Sequence, residues 1–240
     1  MIHFNKEKID QKELICFLHI PKSGGKTMWK ILEEQKEQIL VWHGKYFKIL
    51  KKPTVYFTIL RNPVERVIST YFYIRSYERD PLHEQVKNMS FQKFLSYMKD
   101  ENIRNKQYHK RDIRSIRYRT VNLTTRYLSG GDPDNLKMAN YNLNHYFTEV
   151  GFTERFSESL FFLKEHFGWE DTLKIKQVNR TQNRPKSTEI PPEIIKEIKR
   201  LNHNDEALYK QARRKFEDRL VKLSDQQKQA LEVWKKISKG

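Results

Sequence analysis

The stretch LICFLHIPKSGGKT, residues 14–27, decides the reading of the whole chain. An apolar run ends at His19 and gives way to Pro21, Ser23, Gly24 and Gly25, with Lys22 and Lys26 interspersed. Such a run suits a buried strand, and the two glycines permit the backbone angles that aim successive N–H groups at one ligand. A helix is predicted to begin near Lys26, with Met28, Ile31 and Leu32 on its inner face, so that its positive end lies over the turn. Phosphate or sulfate is the natural guest of that arrangement.

Working outward, residues 39–42 read as a second strand ending at His43, and TVYFTIL, residues 54–60, as a third, by its β-branched and aromatic content. Asn62 caps the next predicted helix and Pro63 suits its first position. Val64, Val67, Ile68 and Tyr71 form its core face, which leaves Asn62, Arg66 and Ser69 on the other side. A helix is expected from Ser90 (Phe91, Phe94, Leu95 and Met98 inward), another over residues 121–129 stopped by Gly130 and Gly131, and a further one after residues 132–134. A short strand over residues 149–152, a helix through Phe156, Leu160, Leu163 and Phe167, and an extended run over residues 173–178 come next. Three helices close the chain: one opened by Pro191 and Pro192, one with Leu208, Ala212, Phe216 and Leu220 inward, and one from Ser224. The last carries a Ser224–Gln227 capping box and an apolar stripe through Ala230, Trp234 and Ile237. Strands alternating with helices imply an α/β fold, a central parallel sheet flanked by helices.

The chain has 240 residues, the length of one domain with a single substantial core. Lys plus Arg number 47 against 30 Asp plus Glu, a formal charge of +17 that attracts anionic partners without choosing among nucleic acid, glycan and phosphorylated nucleotide. The single Cys16 excludes an internal disulfide and suits a reducing compartment. The apolar runs are too short to span a bilayer, and the N-terminus has no apolar targeting segment, so a cytoplasmic location is expected.

The first turn nearly matches a nucleotide P-loop, because Gly25, Lys26 and Thr27 supply its final GK[ST]; Ile20, however, stands where that pattern needs its first glycine. The third strand ends TILRNP, with no carboxylate to help hold magnesium, which disfavours a kinase. What that strand supplies instead is Arg61, with Ser69 two helical turns on, a guanidinium and a hydroxyl able to share one phosphate. A nucleic-acid-binding module would use the charge, but no reading motif is present.

HIPKSGG followed by LRNPVERVIST resembles the paired signatures of the sulfotransferases that use 3′-phosphoadenosine 5′-phosphosulfate, in particular the carbohydrate type that includes heparan sulfate 2-O- and 6-O-sulfotransferases and bacterial relatives. NLTTRYLSGG, VGFTERFSESLFFL and VNRTQNRP are similar to further blocks of that family in the same order, and the resemblance covers residues 14–220. It implies the sulfotransferase fold over residues 1–240, with residues 74–120 as an acceptor-side insertion and residues 222–240 as a C-terminal helix. It also implies sulfuryl transfer to an acceptor hydroxyl, that of a glycan or other carbohydrate, without a metal. By that resemblance Lys22 contacts the sulfuryl group, while Pro21, Ser23, Gly24, Gly25, Lys26 and Thr27 complete the 5′-phosphate turn. Lys26 stands where the family more often has a hydroxyl residue. Arg61 and Ser69 take the 3′-phosphate, and Asn179, Thr181 and Arg184 close over the nucleotide. His43 is the candidate general base, at the end of the second strand with an imidazole that titrates in the useful range. Many relatives read Gly-His there, whereas this chain reads His43-Gly44-Lys45; strict alignment would place Lys45 at the base position. His19 is read as orienting the turn.

Overall fold

A computed structural model describes residues 1–103, 107–169 and 189–237. Five parallel strands form one sheet: β1 (Ile2–His3), β2 (Leu14–His19), β3 (Ile39–His43), β4 (Thr54–Leu60) and β5 (Phe147–Phe152), in the order β1-β3-β2-β4-β5. The central pair β2 and β4 is buried on both sides, with Cys16, Phe17, Leu18, Phe57, Ile59 and Leu60 at 1% exposure or less. That is why these strands read as nearly continuous apolar runs rather than alternating ones. Two strands differ from expectation at their ends. β5 begins at Phe147, earlier than residue 149, and β1 is an unpredicted edge strand whose two residues are too few to show a period.

Helix α1 (Gly25–Glu33) follows β2 and buries Met28, Ile31 and Leu32. Helix α2 (Pro63–Ser76) follows β4, and the side chain of its cap Asn62 accepts the Glu65 N–H. From β2 the chain moves to β3 on one side, and from β3 to β4 on the other side of β2. The carboxyl ends of β2 and β4 therefore flank a topological switch point, the place where open α/β sheets hold ligands.

Residues 74–120 contain α3 (His83–Val86), α4 (Phe91–Lys99) and α5 (Ser115–Thr120). Their buried residues, Leu82, Val86, Phe94, Leu95, Met98 and Ile116, do not lie over the sheet. They form a second core with Val67, Ile68 and Tyr71 of α2 and with Ile194, Ile198 and Leu201 of α9 (Pro192–Leu201). Helices α6 (Leu123–Ser129) and α7 (Leu136–Tyr146) precede β5, and α6 ends at Gly130, whose φ of 90° is the left-handed turn a glycine stop supplies. Helix α8 (Phe156–Phe167) follows β5, and α10 (His203–Val221) and α11 (Asp225–Ile237) complete the described chain.

Two sequence expectations are corrected here. Arg66 lies in the interior, fully buried, where Nη2 donates to the Thr120 carbonyl at 2.7 Å, Asn202 Oδ1 at 3.2 Å and Asp205 Oδ2 at 3.1 Å. Asp205 also accepts from the Thr124 and Thr125 N–H groups and the Thr125 hydroxyl, so this ion pair ties α2 to α6 and α10. The capping box of α11 is present, but its inner face is Leu231 and Trp234, with Ala230 and Ile237 exposed. Trp234 Nε1 donates to the Ser157 carbonyl at 2.9 Å, fastening α11 onto α8. The extended run predicted over residues 173–178 lies outside the described residues. No described helix is long and apolar enough to cross a membrane.

Candidate active site

The turn after β2 has an unusual backbone. Lys22 sits at φ 66° and Gly24 at φ 79°, both left-handed, and Lys22 has a Cβ that makes this conformation cost about 1–2 kcal/mol. Such strain persists where the surroundings enforce it, and it concentrates at functional sites. Gly24 caps α1 without any side-chain bond to the helix N–H groups, leaving the first turn of a positive helix end for another acceptor. Ser23 is 1% exposed and its Oγ has no partner among the described residues. A buried hydroxyl left unmade costs about 1–3 kcal/mol, and an anion seated in the turn would satisfy it. Pro21 and Thr27 are half-buried and Lys26 is exposed.

Gly25 has a different reason for being glycine. A Cβ there would fall 1.8 Å from His19 Nε2, so the absent side chain makes room for a ring. Gly24 faces α8 instead, where an added Cβ would meet Phe156 Cε2 at 3.5 Å and Thr153 Oγ1 at 3.8 Å.

Arg61 emerges at the carboxyl end of β4, and its Nη1 donates to the Lys22 carbonyl at 2.9 Å. The second motif thereby grips the first at its strained residue. Arg61 also lies 3.9 Å from Glu65. Ser69 is buried at 4% exposure, two turns along α2, on the stripe that runs through Asn62, Arg66, Tyr73 and Tyr77. That stripe meets the turn directly: Lys22 Nζ lies 3.7 Å from the Tyr73 ring centroid and Lys26 Nζ 5.6 Å from that of Tyr77. Beside them Arg119 binds both Asp80 oxygens, at 3.0 and 2.7 Å. Burial favours the neutral Asp80, but the Arg119 bonds prevail and hold its carboxyl below the usual range.

On the opposite flank, the last residues of β2 and β3 lie in register, and His19 and His43 meet with Nδ1 to Nδ1 at 2.6 Å. Their rings meet edge to edge, centroids 4.8 Å apart and 18° from parallel, and Trp29 of α1 presses edge-on against both. Burial, then the neighbouring His43 and Lys22, push the His19 pKa down to about 3. His43 is exposed to solvent, yet partial burial lowers its proton affinity too, which favours the neutral imidazole. Lys45, the alternative base, is exposed on the loop beyond β3.

The described residues therefore bring the 21–27 turn, Arg61 and the α2 stripe together at one sheet end, with Lys22 and His43 on opposite flanks of the turn. Asn179, Thr181 and Arg184 lie outside the described residues. No group of His, Cys, Asp and Glu able to hold a metal occurs among the described residues. Sequence reading missed Tyr73 as the seat of Lys22, although its i, i+4 relation to Ser69 was available to find it.

Residues 6–212 match the sulfotransferase family. The chain belongs to that family. An alignment of 94 positions, taking in 29% of the chain, is 32% identical to a protein-tyrosine sulfotransferase of Arabidopsis thaliana and covers 19% of that protein's length. Within this sulfotransferase the two sequence signatures are physically joined by the Arg61–Lys22 bond, and the backbone strain, the uncapped helix end and the orphaned Ser23 hydroxyl concentrate at the turn between them.

Proposed function

We propose that the protein transfers a sulfuryl group from 3′-phosphoadenosine 5′-phosphosulfate to an acceptor hydroxyl, with the turn at residues 21–27 holding the 5′-phosphate and Arg61 and Ser69 holding the 3′-phosphate. The observation that supports this reading most is the Arg61 to Lys22 bond, which ties the turn to the tip of β4 at the switch point. A nucleotide with anions at both ends fits that arrangement better than a simple triphosphate, and β4 offers no carboxylate at its tip for magnesium.

The donor supplies an activated sulfuryl group with a phosphate as leaving group. The chain's residues do the rest. Ser23 and the α1 N–H groups fix the phosphate, and the Lys22 ammonium, swung from Tyr73, offsets the charge gathering on the departing oxygen. Holding both partners in line supplies much of the rate. His43, whose neutral form partial burial favours, removes the acceptor's proton as its oxygen bonds to sulfur.

The acceptor proposed is an anionic glycan, supported by the formal charge of +17 and by the family resemblance of the signatures. A tyrosyl hydroxyl is the second reading, supported by the match to the protein-tyrosine sulfotransferase. Donor labelled with radioactive sulfate, offered with desulfated heparan and separately with an acidic tyrosine peptide, decides between them. Label in the polysaccharide alone supports the glycan; label in the peptide alone overturns it.

A further inference from the structure

The contact between His19 and His43 carries a consequence for the direction of proton flow. At 2.6 Å, two Nδ1 atoms cannot both present lone pairs, and cannot both carry protons, so one proton lies between them. There are two ways to place it. If His19 is the donor, neutral His43 accepts at Nδ1, carries its single ring proton on Nε2, and has no lone pair left for an incoming one. If His43 is the donor, its Nε2 is bare.

We propose that His19 is the positioning partner of His43: its Nδ1 accepts the Nδ1–H of His43, which leaves His43 Nε2 to take the acceptor's proton. Three observations support this direction. His19 is 7% exposed and walled by Phe17, Trp29 and the Gly25 backbone, a poor place for a charge, whereas His43 reaches solvent and can become imidazolium. Once His43 is imidazolium it must donate Nδ1–H to His19, and a base already in that tautomer needs no rearrangement during the reaction. Trp29 and the fit against Gly25 fix both ring planes, so the hydrogen bond also sets the direction in which Nε2 points. The balance is simple: the acceptor O–H breaks, its proton goes to His43 Nε2, the oxygen's electron pair forms the new bond to sulfur, and the S–O bond to the donor's 5′-phosphate breaks with its pair left on the phosphate oxygen. Gly25 is in this view the residue that admits the partner ring, which links the phosphate turn to the base.

The inference rests on His43 acting as base in the reaction proposed above, and its test separates the two. Two-bond proton–nitrogen correlation spectra of the full chain report each histidine tautomer without any acceptor. The expected result is His43 protonated on Nδ1 and bare on Nε2, with a shift to the Nε2–H form in His19→Leu. Label transfer, measured with whichever of desulfated heparan or tyrosine peptide the wild type modifies, should show kcat reduced roughly tenfold to a hundredfold in His19→Leu, a share of what a positioned base supplies. The affinity for 3′-phosphoadenosine 5′-phosphate should be unchanged, and His19→Asn, whose amide can accept near the same point, should recover most of kcat. An Nε2–H tautomer of His43 in the wild type, or unchanged kcat in His19→Leu, overturns the inference. A wild type that labels no acceptor while showing the Nδ1–H tautomer contradicts the proposed reaction and leaves the His19–His43 arrangement standing.

Discussion

Arg61 holds the main-chain carbonyl of Lys22 at 2.9 Å, so the strained residue of the first motif is fixed by the tip of the strand that begins the second. Nucleotide affinity should depend on this bond twice, through the guanidinium itself and through the shape of the turn. Arg61→Ala should remove a charge-assisted contact of about 1.5–3 kcal/mol, weakening 3′-phosphoadenosine 5′-phosphate binding roughly tenfold to a hundredfold while the fold is retained. Titration calorimetry checks it.

Lys22 has a left-handed backbone that its side chain makes costly, at φ 66°. Lys22→Gly should relieve that strain, leaving the protein as stable as the parent or up to about 1 kcal/mol more stable, and abolish transfer because the ammonium is gone. Urea unfolding paired with the label-transfer assay reads both halves. A glycine variant that still turns over would remove Lys22 from the chemistry.

Stability should fall on acidification because of His19. Its folded pKa of about 3 lies below the ordinary histidine value of 6.5, so between those values the unfolded chain binds a proton that the folded chain does not. The sign follows: this histidine costs nothing above pH 6.5 and removes roughly 1.4 kcal/mol per pH unit below it. Urea midpoints at pH 7, 6 and 5 should show the decline, and His19→Asn should flatten it.

The buried pair Arg66 and Asp205 should respond asymmetrically to truncation. Arg66→Met leaves Asp205 with three other donors, from Thr124 and Thr125. Asp205→Ala leaves a fully buried guanidinium whose Nε and Nη1 already have no partner among the described residues. Breaking a buried pair in that direction costs about 3–5 kcal/mol, and the Met variant should lose less. Thermal unfolding of the two variants gives the order.

Much of the frame was legible in the sequence, because buried strands and amphipathic helices carry their periods locally: TVYFTIL is β4, and Met28, Ile31 and Leu32 face inward on α1. What stayed hidden depends on partners distant in the chain. Arg66 reads as a solvent residue until Asp205, 139 residues away, is brought beside it. His19 and His43 fall at the ends of neighbouring strands, and only the parallel register reveals that their rings touch. Gly25 looked like a turn glycine; its reason is the His19 ring, which no local pattern encodes. On α11 the spacing of Ala230, Trp234 and Ile237 permits one stripe and that of Leu231 and Trp234 another, and it is the Trp234 bond to Ser157 that fixes the helix's rotation.

The most direct test is calorimetry of the full chain with 3′-phosphoadenosine 5′-phosphate and, in parallel, with ATP and magnesium. A clamp built from the 21–27 turn and Arg61 should bind the bisphosphorylated nucleotide tightly without metal and ATP far more weakly. Equal affinity for ATP, or no binding of 3′-phosphoadenosine 5′-phosphate, would contradict it.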